Sequence, residues 1–173
     1  MTQLQLLTAC VNFSLFHAAE HEAEVHKELQ TSGATRLVDA LRMLRLQKAI
    51  LAVGMFSLFE AVLQDQLGWK RPFKDLVTYL EDHDQSELAA TFSDYYLAIN
   101  VLKHGQGTSY DKLVLRRSSL EFTVGSPHEF YREGDVAEVQ VLIDVDERFV
   151  RRCAEIIEHA ANFIRSREPN VRL

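Results

Sequence analysis

The chain has 173 residues, enough for one domain with its own core, and 47% of them are hydrophobic. Its formal charge of −6, from 25 acidic and 19 basic residues, excludes the overall basic footprint of a non-specific nucleic-acid binder. Only 7 Gly and 3 Pro interrupt it, so long helices are favoured. Two local basic strips stand out, Arg36, Arg42, Arg45 and Lys48, and then Arg116 with Arg117. Each is most simply an ordinary solvated helix or strand face. Cys10 and Cys153 lack CxxC spacing, which points to a reduced, cytoplasmic setting and to no metal site.

Residues 2–30 form the first helix expectation. Leu4, Leu7, Val11, Leu15, Ala18 and Val25 fall near one apolar stripe. Thr31, Ser32 and Gly33 end it, with Gly33 suited to a left-handed cap. Residues 1–19 carry no formally charged side chain, but Thr2, Gln3, Gln5, Thr8, Asn12, Ser14 and His17 interrupt them too often for a membrane span. They also lack the basic start of a signal peptide.

Residues 34–67 give the second helix and the hydrophobic centre. Its first half sets Leu37, Leu41 and Leu44 against Arg36, Arg42 and Arg45. Its second half is apolar almost all round and needs cover on several sides. The run 49–59 is too short to cross a bilayer and reads as a buried helix segment, so no membrane partner is expected. Gly54 inside this helix implies the close approach of another helix or a mild kink, and Gly68 marks the stop.

Pro72 opens a short helix over residues 73–81, and Ser86 is placed to cap another over 87–104. In that fourth helix Leu88, Phe92, Tyr95, Ile99 and Leu102 recur as a packing seam. After Gly105, Gln106 and Gly107 the period changes to two. Leu113 and Leu115, then Leu120, Phe122 and Val124, then Val139, Val141, Ile143 and Val145 predict a small antiparallel β insertion over about 112–145. A polar loop over 125–135 lies inside it. Asp144 or Asp146 caps the last helix, about 147–167. The expected fold is mainly α: an up-and-down bundle of about five helices in a single domain over 1–173.

Chemistry concentrates at the end of the fourth helix. Asn100 and His104, one turn apart, share a face, with Lys103 beside them. His104 could move protons on a phosphate ester, Lys103 stabilise charge and Asn100 position the substrate. The alternative is structural: Lys and His at a helix C-terminus favour the macrodipole and cap its carbonyls. His17, Glu20 and His21 match H-x-x-E-H, a zinc pattern, but no third ligand is identifiable, and the solvent-facing end of a helix explains them better. No metal and no cofactor is expected. No Glu stands three residues before a His, which removes a carboxylate-bridged di-iron bundle, and no Gly-Lys-Ser/Thr follows Gly105 to make a P-loop.

The long first helix, the Leu58-Phe59-Glu60 element in the second, and a later helix ending in Asn100-x-x-x-His104-Gly105 together resemble the HEPN superfamily of prokaryotic defence and toxin systems. The likeness spans about residues 1–110 and the last helix. It implies paired subunits and metal-independent RNA cleavage by an Arg, a polar residue and a His. Asn100 and His104 match that motif, but Ile99 stands where Arg is required, and Lys103 lacks the bidentate fork. The leading expectation is therefore a cytoplasmic homodimeric binding or assembly module, with RNA or a toxin–antitoxin or defence protein as partner. The alternative is a divergent endoribonuclease using His104, Lys103 and Asn100.

Overall fold

The computed structural model describes residues 2–129, 131–132, 134–139 and 141–172. Among them run six α-helices: α1 (Gln3–Leu29), α2 (Thr35–Leu67), α3 (Pro72–Asp82), α4 (Ser86–His104), α5 (Thr108–Val114) and α6 (Glu147–Arg167). A single 3-10 turn, Arg117–Ser119, follows α5.

Local chemistry sets most helix ends. Thr2 and Gln5 form a reciprocal capping box at the start of α1, with bonds of 3.2 and 2.8 Å. Gly68 closes α2 in the left-handed conformation, φ 66°, and donates its N–H to Gln64. Pro72 occupies the first turn of α3, where its missing N–H costs nothing. Asp146 caps α6 by accepting from the Phe149 N–H at 2.7 Å.

Two expected caps are not formed. Gly33 is not left-handed; α1 ends earlier, where the N–H groups of Thr31 and Ser32 reach the Glu28 carbonyl at 3.1 and 3.0 Å. Ser86 lies inside α4, and Gln85 takes the cap position without a side-chain bond.

The α2 helix is the centre of the bundle and touches α1, α3, α4 and α6. Phe56 and Phe59 meet Phe73 of α3 and Phe92 of α4, with ring centroids 5.3 Å apart for Phe73–Phe92 and 5.5 Å for Phe56–Phe92. Offset and edge-on pairs of this kind add to the area they bury. α6 supplies Val150, Cys153, Ile156, Ile157, Ala160 and Ile164 to the same core. A second cluster joins Ala18 and Val25 of α1 to Leu37, Leu41 and Leu44 of α2, roofed by Ala137. Since only five residues join α1 to α2, the two pack antiparallel. Length and composition alone would let α2 cross a membrane; in this fold one side of it forms the core. Gly54 has no neighbour near its Cβ position, so no helix approaches it closely.

The β insertion is corrected. Residues 108–114 form helix α5, in which Leu113 is buried while Leu115, just beyond, is 88% exposed. Among the described residues no strand forms. One antiparallel bridge, Val124 to Ile143, survives, flanked by Gly125 N–H to the Leu142 carbonyl and Asp144 N–H to the Thr123 carbonyl, both 3.0 Å. Phe130, Glu133 and Gln140 of the expected insertion lie outside the described residues. The physical reason is that Leu113 and Leu115 are too short a run to define a strand: only Leu113 is core, Leu115 points outward beyond the helix end, and the Gly105 and Gly107 turn folds α5 back on α4. The remaining segment packs through side chains instead of a ladder. Tyr131 donates to the Val141 carbonyl at 2.7 Å, and Arg45 of α2 donates to Asp135 at 2.6 Å.

Candidate functional site

The C-terminal half of α4 has two faces. Phe92, Tyr95 and Ile99 are buried, Ile99 to 2% exposure, while Leu88 and Leu102 pack at the edge of the core. The expected seam is therefore real. Ile99 points into the protein and has no access to a phosphate. On the other side Asn100 is half-buried and Lys103 and His104 are exposed. Gly105, at φ 73°, ends the helix and donates to the Val101 carbonyl at 2.8 Å. Among the described residues no side-chain hydrogen bond or ion pair joins Asn100, Lys103 and His104 to one another. The structure brings them together only by helical register, on an open surface.

That register leads to a groove. Ser93, Leu97, Asn100 and His104 follow 4, 3, 4 spacing and share one face of α4. Ser93, Tyr96 and Leu97 form the floor of a cavity of about 590 Å³. Phe73, Lys74 and Val77 of α3 make one wall; Lys112, Leu115 and Arg116, at the end of α5, make the other. Asn100 and His104 continue the floor beyond its end. The lining is apolar apart from Ser93, the Tyr96 hydroxyl and three cations, and it contains no carboxylate. Arg116 reaches across to pair with Asp94 of α4, which fixes the α5 wall. Burial nonetheless holds the Asp94 carboxyl above its ordinary range, the Arg116 charge opposing it.

The other sequence candidates resolve into local structure. His17 Nδ1 lies 3.0 Å from Glu20 and His21 lies 3.5 Å from Glu24, so each histidine turns to its own helical neighbour. The basic strip on α2 fastens other elements. Arg36 faces Glu28, Lys48 pairs with Glu22 at 3.1 Å, Arg42 donates to the Val136 carbonyl at 2.7 Å, and Arg45 holds Asp135. The Arg45 guanidinium keeps the Asp135 carboxyl below the usual range.

Sequence reasoning missed two features. One is the groove, because Leu115 reads as a strand position. The other is a network in which Arg152 of α6 binds Glu121 through two bonds, 2.9 and 3.2 Å, with the Tyr95 hydroxyl 3.4 Å from the same carboxylate. Arg152 lowers the Glu121 carboxyl, and burial raises the Tyr95 hydroxyl. These partners lie 26 and 31 positions apart, beyond any local pattern. No family model, curated protein or solved structure matches the chain.

Proposed function

We propose that this chain is a HEPN-like helical binding and assembly module that works as a homodimer, with α1 and α2 as its pairing face. The observation that carries the reading is an apolar surface without cover. Leu6, Phe13 and Phe16 of α1 and Met43, Leu46, Ile50 and Leu58 of α2 are large hydrophobics that stand exposed, Phe13 to 66% and Ile50 to 69%. On α2, Met43, Leu46, Ile50, Gly54, Ser57 and Ala61 follow 3, 4, 4, 3, 4 spacing and none carries a charge. The seven large side chains offer roughly 800 Å² between them, the area one partner contributes to a standard interface. Patches of that size on a folded domain mark contact surfaces. The uncharged α2 stripe matches a second copy of itself, and two α1–α2 pairs can then pack as a four-helix layer.

The helix order and the Asn100-x-x-x-His104-Gly105 ending support the HEPN likeness. RNA, or a toxin–antitoxin or defence protein, follows from that likeness as the wider partner class, and a reducing cytoplasm fits the free Cys10 and Cys153. The endoribonuclease alternative is the weaker reading, because Ile99 is buried and His104 is exposed, with no side-chain hydrogen-bond or ion-pair partner among the described residues. Sedimentation of Phe13→Glu and Ile50→Glu tests the assembly. Both residues are exposed, so both variants should fold and run as single chains. Wild-type association in both variants would overturn α1–α2 as the face.

A further inference from the structure

We propose that the groove between α3, α4 and α5 is a docking site for an acidic amphipathic helix of a partner protein. Its floor and walls present Phe73, Val77, Tyr96, Leu97 and the protruding Leu115, and Val114 beside it is also exposed. An apolar trough of about 590 Å³ accepts a few large side chains from one helix face, spaced at i, i+3 or i+4, and i+7. The groove is bounded by helices α3 and α4 and by α5 with its closing turn, so it offers no strand edge to an extended segment. A helical ligand carries its own backbone hydrogen bonds and needs none from the groove.

Charge specifies the flanks of that helix. Lys74 and Lys112, without an ion-pair partner among the described residues, border the apolar floor, Arg116 beside them is paired with Asp94, no carboxylate lines the floor, and Lys103 extends the positive side past its end. The chain as a whole is negative, at −6, so this rim is a local reversal of sign. Acidic residues beside an apolar stripe would be drawn to it and oriented by it. Two free lining cations, Lys74 and Lys112, around an apolar floor are a poor match to a phosphate backbone, which takes many cationic contacts. The groove is separate from the α1–α2 face, so it adds a second surface to the binding module and does not need the dimer.

A displayed library of amphipathic helices of about 16 residues, with Glu, Gln or Lys allowed at the flanking positions, is panned against the intact protein. Acidic flanks should be enriched, and the best peptide should lose affinity about 10-fold or more in Lys74→Glu/Lys112→Glu, a loss that shrinks as salt is raised. Leu115→Ser should weaken it several-fold, and Ile50→Glu should leave it unchanged. All four positions are exposed, so the variants keep the fold. Equal enrichment of Lys and Glu flanks, unchanged affinity in the double variant, or no enrichment at all would overturn the proposal. So would an RNA oligomer that binds the groove in place of the peptide and is itself lost in the double variant.

Discussion

Replacing Ile99 by Arg would supply the cation that the proposed HEPN likeness calls for one residue before Asn100. The structure predicts loss of the fold instead of gain of activity. Ile99 is 2% exposed, one helical turn from the equally buried Tyr95, and no polar or charged residue is fully buried among the described residues. Removing the side chain forfeits ~2–3 kcal/mol of burial. Leaving a guanidinium in the core without a carboxylate adds ~3–5 kcal/mol. Their sum, ~5–8 kcal/mol, is comparable with the ~5–15 kcal/mol that holds a domain of ordinary stability together. Urea titration followed by circular dichroism should show the transition shifted close to zero denaturant, or the variant should be insoluble. A variant that folds within ~1 kcal/mol of wild type and cleaves RNA in EDTA, with the cleavage lost on adding His104→Ala, would refute this reasoning.

Gly125→Ala should destabilise by about 1–3 kcal/mol, because the new Cβ would lie 2.7 Å from the Tyr131 hydroxyl and 2.8 Å from its ring carbon, pushing that ring off the Val141 carbonyl. Thermal unfolding measures it, and an unchanged midpoint would contradict the packing described. The Arg45–Asp135 tie should give an acid-sensitive increment of stability. The Asp135 carboxyl is lowered in the fold, so its contribution is full above the unfolded value of about 3.9 and is lost as pH falls through the lower folded value. Urea midpoints taken from about pH 6 to about pH 2 should show a smaller loss in Asp135→Asn than in wild type, and equal losses would count against the tie. Iodoacetamide should label exposed Cys10 in the native protein and reach Cys153 only on unfolding, since burial leaves that thiol inaccessible and raises its pKa, which suppresses the reactive thiolate. Rapid native labelling at both would contradict the placement of α6.

The helical part of the fold was legible where one residue decides a local geometry. Gly68, Pro72 and Asp146 each terminate or start a helix for reasons contained in their own chemistry, and the 4, 3, 4 recurrence of Leu88, Phe92, Tyr95 and Ile99 needs only helical geometry. The insertion was misread where two periods compete over a short run. Leu113 and Leu115 alternate like a strand, yet one is core and the other protrudes from a helix end. Ser86 and Gly33 carry the right chemistry for caps but stand one position past the N-cap Gln85 and three past the C-cap Gln30. The Glu121–Arg152–Tyr95 network and the α3–α4–α5 groove depend on packing between distant segments, which no local pattern encodes. Asn100 and His104 stood out in the sequence as candidates by residue type and helical spacing. That they continue a groove, on an exposed edge, required the fold.

The central claim is that the chain pairs through the uncovered face of α1 and α2. Sedimentation equilibrium of the wild-type protein at micromolar concentration tests it most directly. The account predicts a mass of about 40 kDa, twice the 19.8 kDa of one chain, falling to one chain in Ile50→Glu. A wild-type mass of 19.8 kDa that does not change with concentration would contradict it.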